Sequence, residues 1–361
     1  MRIAFVCAPT ANMIRPSYLG RYLVRRGHEV HVVVPPSARE PFLYGMDQFP
    51  ITIHRCPAGG RALAEVGSRL RHLVPDLVHC MDTGRAGLPP TLWYGRRRRA
   101  LTLVDVPDWM SRGTRLRAKF LRLLEYQALQ RADAVALASQ ELLEYYQRGR
   151  HRARLYYLPF AADLEFIEAH RAGAAQVRAR YGDLKLLTYL GTLRPEYDPR
   201  ETLALARALS RRRRDFRLLF VGSGPLEEEL AATAAAWGLS DLVEFLGFVP
   251  EDQLPGLLTA SDVLLCPLAD NVINRTRCPN KVFWCLGARR PIVANQVGEA
   301  ALALGDEALY YRYGDVEDGA DQVERALAGA APIPSPERLA AHSWPAVADR
   351  YERLLADLTG A

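Results

Sequence analysis

Residues 2–34 have the sequence RIAFVCAPTANMIRPSYLGRYLVRRGHEVHVVV, which contains a complete strand–helix–strand pattern. The apolar run at residues 2–8 is typical of a buried parallel strand, and Val30–Val34 is a second run of this kind. Between them, Pro16 suits the first position of a helix and Gly27 suits its C-terminal cap. Two such strands and a helix within about 35 residues predict the start of a doubly wound α/β fold.

The alternation of strands and helices continues along the chain and begins afresh at residue 185. Because a second βα series follows the first, we expect two Rossmann-like doubly wound domains that face each other. The predicted parts are an N-terminal domain at 1–165, a charged helical linker at 166–183, a C-terminal domain at 184–342, and a final helical segment at 343–361.

Composition places the chain among ordinary globular proteins. It has 361 residues, of which 49% are hydrophobic and 24% charged. There is no run of about 18 apolar residues that would span a membrane. The apolar N-terminus is too short for a signal peptide, so we expect a cytoplasmic protein. The six cysteines show neither a CxxC pair nor zinc-ligand spacing, which predicts small buried thiols.

The net charge of +6 comes largely from two runs of four arginines, Arg96–Arg99 and Arg211–Arg214. Neither run is interleaved with aromatic residues, which argues against nucleic-acid binding. Attraction to anionic lipid or to a phosphorylated ligand is one interpretation, and a solvated loop is the other. The predicted basic helix at Thr114–Arg131 has a similar pair of alternatives, a membrane-surface helix or a helix packed on its own domain. Its predicted apolar face consists of Leu116, Phe120, Leu123, Leu124 and Ala128.

Two glycine-containing turns follow predicted strands of the second half. Gly191-Thr192-Leu193-Arg194 follows one strand, and Gly222-Ser223-Gly224-Pro225 follows the next. Glycines permit a tight turn and the close approach of a ligand to the backbone. Arg194 is able to hold a diphosphate through bidentate hydrogen bonds, or it is a surface loop residue. Three glutamates after Pro225 would repel a phosphate, so we expect the second turn to contact a neutral part of a ligand, or no ligand.

Lys281 is one of only three lysines in this arginine-rich chain, and it lies within Asn274–Glu299. A lysine there indicates either a need for a compact point charge or a solvated helix start. Together with Arg194 it would form a clamp of two cations that stabilises a leaving phosphate without a metal. Asn274, Arg275, Arg277 and Asn280 could add hydrogen-bond donors.

Asp105 and Asp108 come at the end of a predicted strand, where α/β sheets place their ligands. The two carboxylates could bind a metal, although no other ligands accompany them. They could also be solvated turn residues.

Several segments together resemble the GT-B glycosyltransferases, in particular the retaining glycosyltransferase family 4. The segments that carry the resemblance occur in family order over essentially the whole chain: RGHEVHVVVP (26–35), ADAVALASQELLEYY (132–146), LPFAAD (158–163), YLGTLRPEYDPRETLALARAL (189–209), LLFVGSGPLEEEL (218–230), VEFLGFVPEDQLPGLLTASDVLLCPL (243–268) and CPNKVFWCLGARRPIVANQVGE (278–299).

The resemblance implies a GT-B fold, with two Rossmann-like domains facing across a cleft. The N-terminal domain would bind the acceptor, the C-terminal domain a nucleotide-sugar, and the final helix would return to the N-terminal domain. No metal or other cofactor is implied. The resemblance assigns Gly191 and Arg194 to the phosphate side of the donor, Phe248 and Val249 to the nucleobase, and Lys281 to the nucleotide. With Asp108 added from the residues themselves, the catalytic candidates are Arg194, Lys281 and Asp108. The donor-binding candidates are Gly191, Thr192, Gly222, Phe248, Val249 and Asn280.

The chain departs from the family pattern at several positions. The usual pair of glutamates eight residues apart falls at Thr276 and Trp284, and an indole cannot accept hydrogen bonds from ribose hydroxyls. The lysine that often follows Arg194 is absent, with Arg200 as a substitute. The histidine expected near Asp105 is replaced by Pro107.

These observations predict a glycosyltransferase that moves a sugar, of hexosyl type, from a nucleotide diphosphate sugar to an acceptor, with retention and without metal. The acceptor class stays open between a saccharide, a lipid-linked molecule and a small molecule. One alternative is a non-catalytic GT-B homologue that partners an active glycosyltransferase, and another is a GT-B sugar epimerase. A peripheral location at the inner membrane face is a further option.

Overall fold

The computed structural model describes residues 1–7, 14–35, 50–57, 61–81, 83–108 and 116–360. These residues form two compact units. The first unit consists of Met1–Phe160, Thr276–Cys278 and Trp344–Ala361, and the second of Ala161–Arg275 and Pro279–Ser343. The loop after the first strand, Trp109 and the start of the predicted helix at Thr114 lie outside the described residues.

The first unit is built on a parallel sheet of seven strands in the order β3-β2-β1-β4-β5-β6-β7. Its five inner strands are almost entirely buried because helices cover both faces, as the continuous apolar runs predict, whereas the two edge strands are partly exposed. The strands are β1 (Arg2–Val6), β2 (Glu29–Val34), β3 (Thr52–Arg55), β4 (Leu77–Cys80), β5 (Leu101–Val106), β6 (Ala134–Leu137) and β7 (Arg154–Tyr157). The helices between them are α1 (Ile14–Arg25), α2 (Ala62–Leu73), α3 (Leu88–Arg98), α4 (Leu116–Arg131) and α5 (Gln140–Gln147).

The second unit repeats this architecture with six parallel strands in the order β10-β9-β8-β11-β12-β13. The strands are β8 (Lys185–Leu190), β9 (Phe216–Val221), β10 (Val243–Gly247), β11 (Val263–Cys266), β12 (Ile292–Ala294) and β13 (Leu309–Tyr310). The helices are α6 (Leu164–His170), α7 (Ala174–Tyr181), α8 (Pro199–Ser210), α9 (Glu227–Ala236), α10 (Leu254–Ala260), α11 (Val272–Thr276), α12 (Asn280–Ala288), α13 (Gly298–Leu304), α14 (Val316–Leu327) and α15 (Pro336–Ala341). The predicted two-domain α/β fold is thus confirmed by two doubly wound parallel sheets.

Two segments have surroundings that the sequence alone did not specify. Residues 166–183, predicted as a linker, form α6 and α7, and Tyr181 packs with Leu257 of α10 inside the second unit. The final helix, α16 (Trp344–Thr359), belongs to the first unit, where Trp344 stacks on Tyr18 with ring centroids 5.6 Å apart.

Helix α4 packs differently from its prediction. Leu124 and Ala128 are buried in the core of the first unit, but Phe120 and Leu123 are exposed. The expectation of one apolar face that holds all four residues is therefore wrong. Within the described ranges, no helix is both long and apolar enough to cross a bilayer.

All six cysteines are buried thiols and none forms a disulfide, as predicted. Cys266 at the end of β11 lies 3.3 Å, sulfur to sulfur, from Cys285 of α12. The two side chains belong to the core beneath the carboxyl ends of β8 and β11.

A buried ion pair joins three segments of the first unit. Arg15 of α1 donates from Nε to Asp105 Oδ2 of β5 over 2.5 Å, and both side chains are buried. The same guanidinium donates to the carbonyl oxygens of Leu158 (2.8 Å) and Pro159 (3.2 Å), which follow β7. Because the carboxylate is committed to Arg15, Asp105 is a structural residue rather than half of a metal-binding pair with Asp108.

Replacing Asp105 by Asn is expected to lower the free energy of unfolding by about 3–5 kcal/mol, because the charge of Arg15 stays buried without its counter-charge. Urea denaturation followed by circular dichroism measures the loss. Asp349→Asn is the matched control, since Asp349 pairs with Arg26 at the surface and its loss should cost at most about 1 kcal/mol. Equal losses in the two variants would contradict the structural role of the buried pair.

Candidate functional site

The candidate site of the second unit lies where the strand order of its sheet reverses direction. From β8 the chain winds outward through β9 and β10, and then returns to place β11 on the other side of β8. In open α/β sheets, ligands bind at such a switch point, outside the carboxyl ends of the strands. Here those ends are Gly191, which follows β8, and Pro267, which follows β11.

Lys281 lies at this switch point. Its side chain is only 8% exposed, which rules out the solvated helix start considered from the sequence. The Nζ atom is 3.5 Å from the carbonyl oxygen of Pro267 and 4.8 Å from the centre of the Tyr189 ring of β8. A ring face and a carbonyl oxygen both favour a cation, so the fold holds an ammonium group between the ends of β8 and β11.

Lys281 reaches this position because it is the second residue of α12, which begins at Asn280 after Pro279. The next turns of the helix, with Val282, Phe283 and Leu286, are buried in the core. That anchorage directs the start of the helix, and Lys281 with it, toward the strand ends. Asn280 is half-buried beside it.

The two glycine turns are in direct backbone contact. A Cβ atom on Gly222 would lie 2.2 Å from the carbonyl oxygen of Gly191, and one on Gly224 would lie 2.5 Å from that of Leu193. Leu193 N–H donates to the Ser223 carbonyl (3.1 Å), and Leu226 N–H donates to the Leu193 carbonyl (3.0 Å). The turn after β9 therefore requires glycine for contact with the turn after β8, and this packing accounts for Gly222 without a ligand.

Arg194 extends from the turn after β8 into solvent. Thr192 beside it is also exposed. Among the described residues, the Arg194 guanidinium has no ion-pair or hydrogen-bond partner, which leaves its five donors to water or to a ligand. Arg200, considered as a substitute for a phosphate-binding lysine, instead forms a bidentate pair with Glu229.

The residues implied in nucleobase contact follow β10. Phe248 is 72% exposed, which is unusual for a phenylalanine and leaves its ring accessible for stacking. Val249 instead packs against the core cluster of the second unit that contains Leu186 and Leu257. Its side chain therefore supports the loop.

A polar network that the sequence analysis missed holds the loops of this edge together. Asp198 accepts hydrogen bonds from Ala269 N–H (2.9 Å), from the Asn274 amide (3.3 Å) and from the Tyr313 hydroxyl (3.0 Å). These partners follow β11 and β13, so one buried carboxylate connects the ends of three strands. Asp198 precedes Pro199 at the start of α8, the type of position where Asp is common, and this was the available signal.

The network also revises the predicted donors. The Asn274 amide donates to Ala269 O (2.8 Å) as well as to Asp198, so it supports the loop. Arg275 forms a bidentate pair with Asp270. These contacts hold the side chains of Asn274 and Arg275 within the loop, so we assign neither of them to diphosphate binding.

The positions of the expected acidic pair lie in different units. Thr276 belongs to the first unit, where its carbonyl accepts a hydrogen bond from Ser139 Oγ (2.7 Å). Trp284 belongs to the second unit and packs edge-on against Phe166, with ring centroids 6.2 Å apart. Trp284 therefore packs α12 against α6.

Asp108 lies in the first unit, just beyond the carboxyl end of β5. The residue is exposed as a whole, yet the surrounding protein desolvates its carboxyl group and raises its pKa to about 6. Arg277, also of the first unit, opposes this shift, and Asp105 adds to it. A carboxylic acid with such a pKa exchanges protons close to neutral pH.

The fold defines a two-unit α/β protein, and comparison with known families identifies its class as glycosyltransferase. Residues 15–161 match the glycosyl transferase 4-like domain, and residues 185–329 match glycosyl transferases group 1. The chain belongs to the GT4-like glycosyltransferases with the GT-B fold.

Two curated relatives come from Streptomyces kanamyceticus. Over 250 residues the chain is 27% identical to a 2-deoxystreptamine glucosyltransferase, covering 67% of this chain and 62% of that protein. Over 228 residues it is 25% identical to an alpha-D-kanosaminyltransferase, covering 58% of each. The chain thus spans less than two thirds of the length of these relatives.

A similar solved structure is that of Anabaena HepE in complex with UDP and glucose. It has a TM-score of 0.78 and 15% identity, and it covers 99% of this chain and all of that one. At this identity the likeness establishes the fold.

Gly222→Ala should lower the free energy of unfolding by more than about 3 kcal/mol, because the new methyl group collides with the Gly191 carbonyl and the backbone φ of +124° is strained for alanine. Thermal and urea unfolding measure the change. Gly238→Ala is the control: Gly238 also has a positive φ, +68°, but no atom lies within 4 Å of the point that the new methyl group would occupy, so about 1 kcal/mol is expected. Similar losses in both variants would refute the loop-contact explanation.

Proposed function

We propose that this protein transfers a hexosyl group from a nucleotide diphosphate sugar to a polyhydroxylated acceptor. The family membership supports the reaction class. The observation that carries the proposal is the buried ammonium group of Lys281 at the switch point of the second sheet. A buried cation at the site where α/β sheets bind ligands matches an anionic donor.

The proposed role of Lys281 and Arg194 is to stabilise the leaving group. When the bond between the anomeric carbon and the diphosphate oxygen breaks, negative charge develops on that oxygen. A cation held in a partly dehydrated position stabilises this charge more strongly than a solvated one. Arg194, with its available donors, adds bidentate contacts to the second phosphate. These two cations supply positive charge that a metal ion supplies in other transferases.

The donor and acceptor are proposed from the relatives. HepE is described with UDP and with UDP-glucose, so a UDP-hexose is the first donor to examine. We assign the exposed ring of Phe248 to stacking on the base, and the turn from Gly191 to Thr192 to the phosphate side. Relatives named for 2-deoxystreptamine suggest an aminocyclitol or a saccharide acceptor. Retention of anomeric configuration is part of the proposal and follows the family resemblance.

Asp108 is proposed to contact the acceptor from the first unit. Its position after the carboxyl end of β5 is where such sheets bind ligands. With a pKa of about 6, its carboxylate is ionised at pH 7 and able to accept a hydrogen bond from a reacting hydroxyl. The partner-subunit alternative is not favoured by the family matches.

Lys281→Met should weaken the binding of UDP-glucose by about 10- to 100-fold, because it removes a charge-assisted contact and keeps an apolar side chain of similar length. Isothermal titration calorimetry with UDP-glucose, GDP-mannose and dTDP-glucose measures the affinity for each donor and thereby the preferred nucleobase.

Arg194→Ala is expected to weaken donor binding with little change in melting temperature, since the side chain of Arg194 is exposed.

Lys185→Met is the matched control for this experiment. Lys185 is the first residue of β8, at the opposite end of the strand from Gly191. The variant therefore removes the same charge from the same sheet but away from the candidate site. Unchanged donor affinity in Lys281→Met, or an equal loss in Lys185→Met, would refute the role of Lys281. Donor binding without any transfer or donor hydrolysis would refute the transferase proposal itself.

Transfer activity should decline as the pH falls through about 6, because Asp108 is then protonated and its carboxylate no longer accepts the hydrogen bond from the acceptor hydroxyl. In Asp108→Asn this limb of the profile of kcat/KM for the acceptor should disappear, together with most of the activity. Measurement between pH 5 and 8 with saturating donor tests this. An unchanged acidic limb in the variant would assign the titration to another group.

A further inference from the structure

The two runs of four arginines have different surroundings in the structure. In the second run, every guanidinium has a carboxylate partner. These pairs are Arg211 with Glu317, Arg212 with Glu317 and Asp321, Arg213 with Asp215 and Glu324, and Arg214 with Asp241. The charge of this run is thus compensated within the second unit, which accounts for it without a ligand.

The first run ends helix α3, and two of its members line a cavity of about 850 Å³ in the first unit. Arg96 and Arg99 are joined there by Arg131, the last residue of α4, and by Arg152, which precedes β7. In the part of the chain that the structure describes, none of these four guanidinium groups has an ion-pair or side-chain hydrogen-bond partner. Two similar sequence motifs therefore differ in whether the protein itself neutralises them.

The cavity lining carries an excess of positive charge. Of the described lining residues, Asp133 is the one with a carboxylate. Its Oδ2 atom accepts hydrogen bonds from the amide and the hydroxyl of Thr102, each over 2.7 Å. The lining thus has four arginines and one carboxylate, that of Asp133, which is already hydrogen-bonded to Thr102. An anion in the cavity would therefore be attracted by the excess positive charge.

Helix dipoles account for only part of this arrangement. Arg96 and Arg131 are in the last turns of α3 and α4, where a cation is favoured. Arg99 caps the C-terminus of α3, and Arg152 lies outside the helices. The dipoles explain why each helix tolerates a terminal arginine, but they do not bring four arginines from three segments to one cavity.

The rest of the lining is mainly apolar. It consists mainly of Leu88, Leu92, Trp93, Leu101 and Leu124. Trp93 is 41% exposed, so part of its indole is accessible. Sites for small molecules typically have volumes of about 300–1,000 Å³ and combine an apolar wall with a few polar groups, and this cavity fits that description.

The cavity lies at the opposite end of β5 from the candidate acceptor residue. Leu101 and Thr102 begin the strand, whereas Asp108 follows its carboxyl end. Substrates of α/β folds bind at the carboxyl ends. A ligand in this cavity would therefore occupy a separate site in the first unit.

We propose that the cavity lined by Arg96, Arg99, Arg131 and Arg152 binds a molecule with a phosphate group and an apolar portion. Arginine forks match phosphate oxygens through paired hydrogen bonds. A phosphate monoester carries close to two negative charges at neutral pH, so it offsets several guanidinium groups where a carboxylate offsets one. The apolar wall with Trp93 receives the remainder of the molecule.

Such a ligand could be a soluble organic phosphate or the headgroup region of an acidic phospholipid. Phe120 and Leu123 of α4 are exposed and are close in sequence to the lining residue Leu124. The chemistry of recognition is the same for both sources, so two arms of one experiment distinguish them. One arm titrates octyl phosphate, and the other titrates phosphatidylcholine vesicles with and without phosphatidic acid.

The full chain is titrated with octyl phosphate while tryptophan fluorescence and heat are recorded, and its co-sedimentation with vesicles is measured in parallel. Arg96→Ala/Arg99→Ala is expected to weaken binding at least about tenfold in whichever arm the wild type binds. Arg152→Glu, on a different segment, should give a similar or larger loss. Trp93→Phe should remove most of the fluorescence change and leave the heat signal.

Arg97→Ala/Arg98→Ala is the matched control, because it removes the same charge from the same helix end but neither residue lines the cavity. Its affinity should stay within about twofold of the wild type. Circular dichroism and melting temperature verify that each variant folds. Equal weakening by the two double variants would show diffuse charge attraction and overturn the site, as would no binding in either arm. Because neither measurement uses a nucleotide-sugar, the result is independent of the proposed transferase function.

Discussion

The ammonium group of Lys281 is held between the carboxyl ends of β8 and β11, and the proposed chemistry depends on this placement. Burying a charge is costly unless other groups compensate for it. Here the Tyr189 ring and the Pro267 carbonyl contribute to that compensation. A diphosphate would add the opposite charge. Parallel strands that end at one edge, with a helix start directed at that edge, are what bring these groups together.

The loops around this lysine are positioned by contacts among themselves. The glycine turns after β8 and β9 touch through their backbones, and Asp198 connects loops that follow three strands. Packing thus explains several residues that a motif search would assign to a ligand, Gly222 among them. It also leaves a shorter set of side chains that face outward without such a role, namely Arg194, Thr192 and Phe248.

Much of the fold could be predicted because the strands are continuous apolar runs, which a buried parallel sheet requires. Helix α14 was not predicted. Its sequence contains Gly319, and three of its four buried residues are glycine or alanine, so few large apolar side chains mark its inner face. A Cβ atom at Gly319 would approach the side chains of Leu205 and Tyr311 at 3.1 Å, so a larger residue would force these neighbours to shift. The contact with Leu205 joins residues more than a hundred positions apart along the chain, and a local pattern cannot show it.

The sequence by itself determined the two doubly wound sheets and the chemical types at the strand ends, because periodicity and turn residues act over a few positions. Only the tertiary structure decided which charges are buried, paired or available. Lys281 proved to be buried, Arg200 paired and Arg194 available. All four arginines of the run Arg211–Arg214 pair with carboxylates, whereas Arg96 and Arg99 of the other run line a cavity. Charge pairing depends on residues distant in sequence, and for that reason composition and spacing could not distinguish these cases.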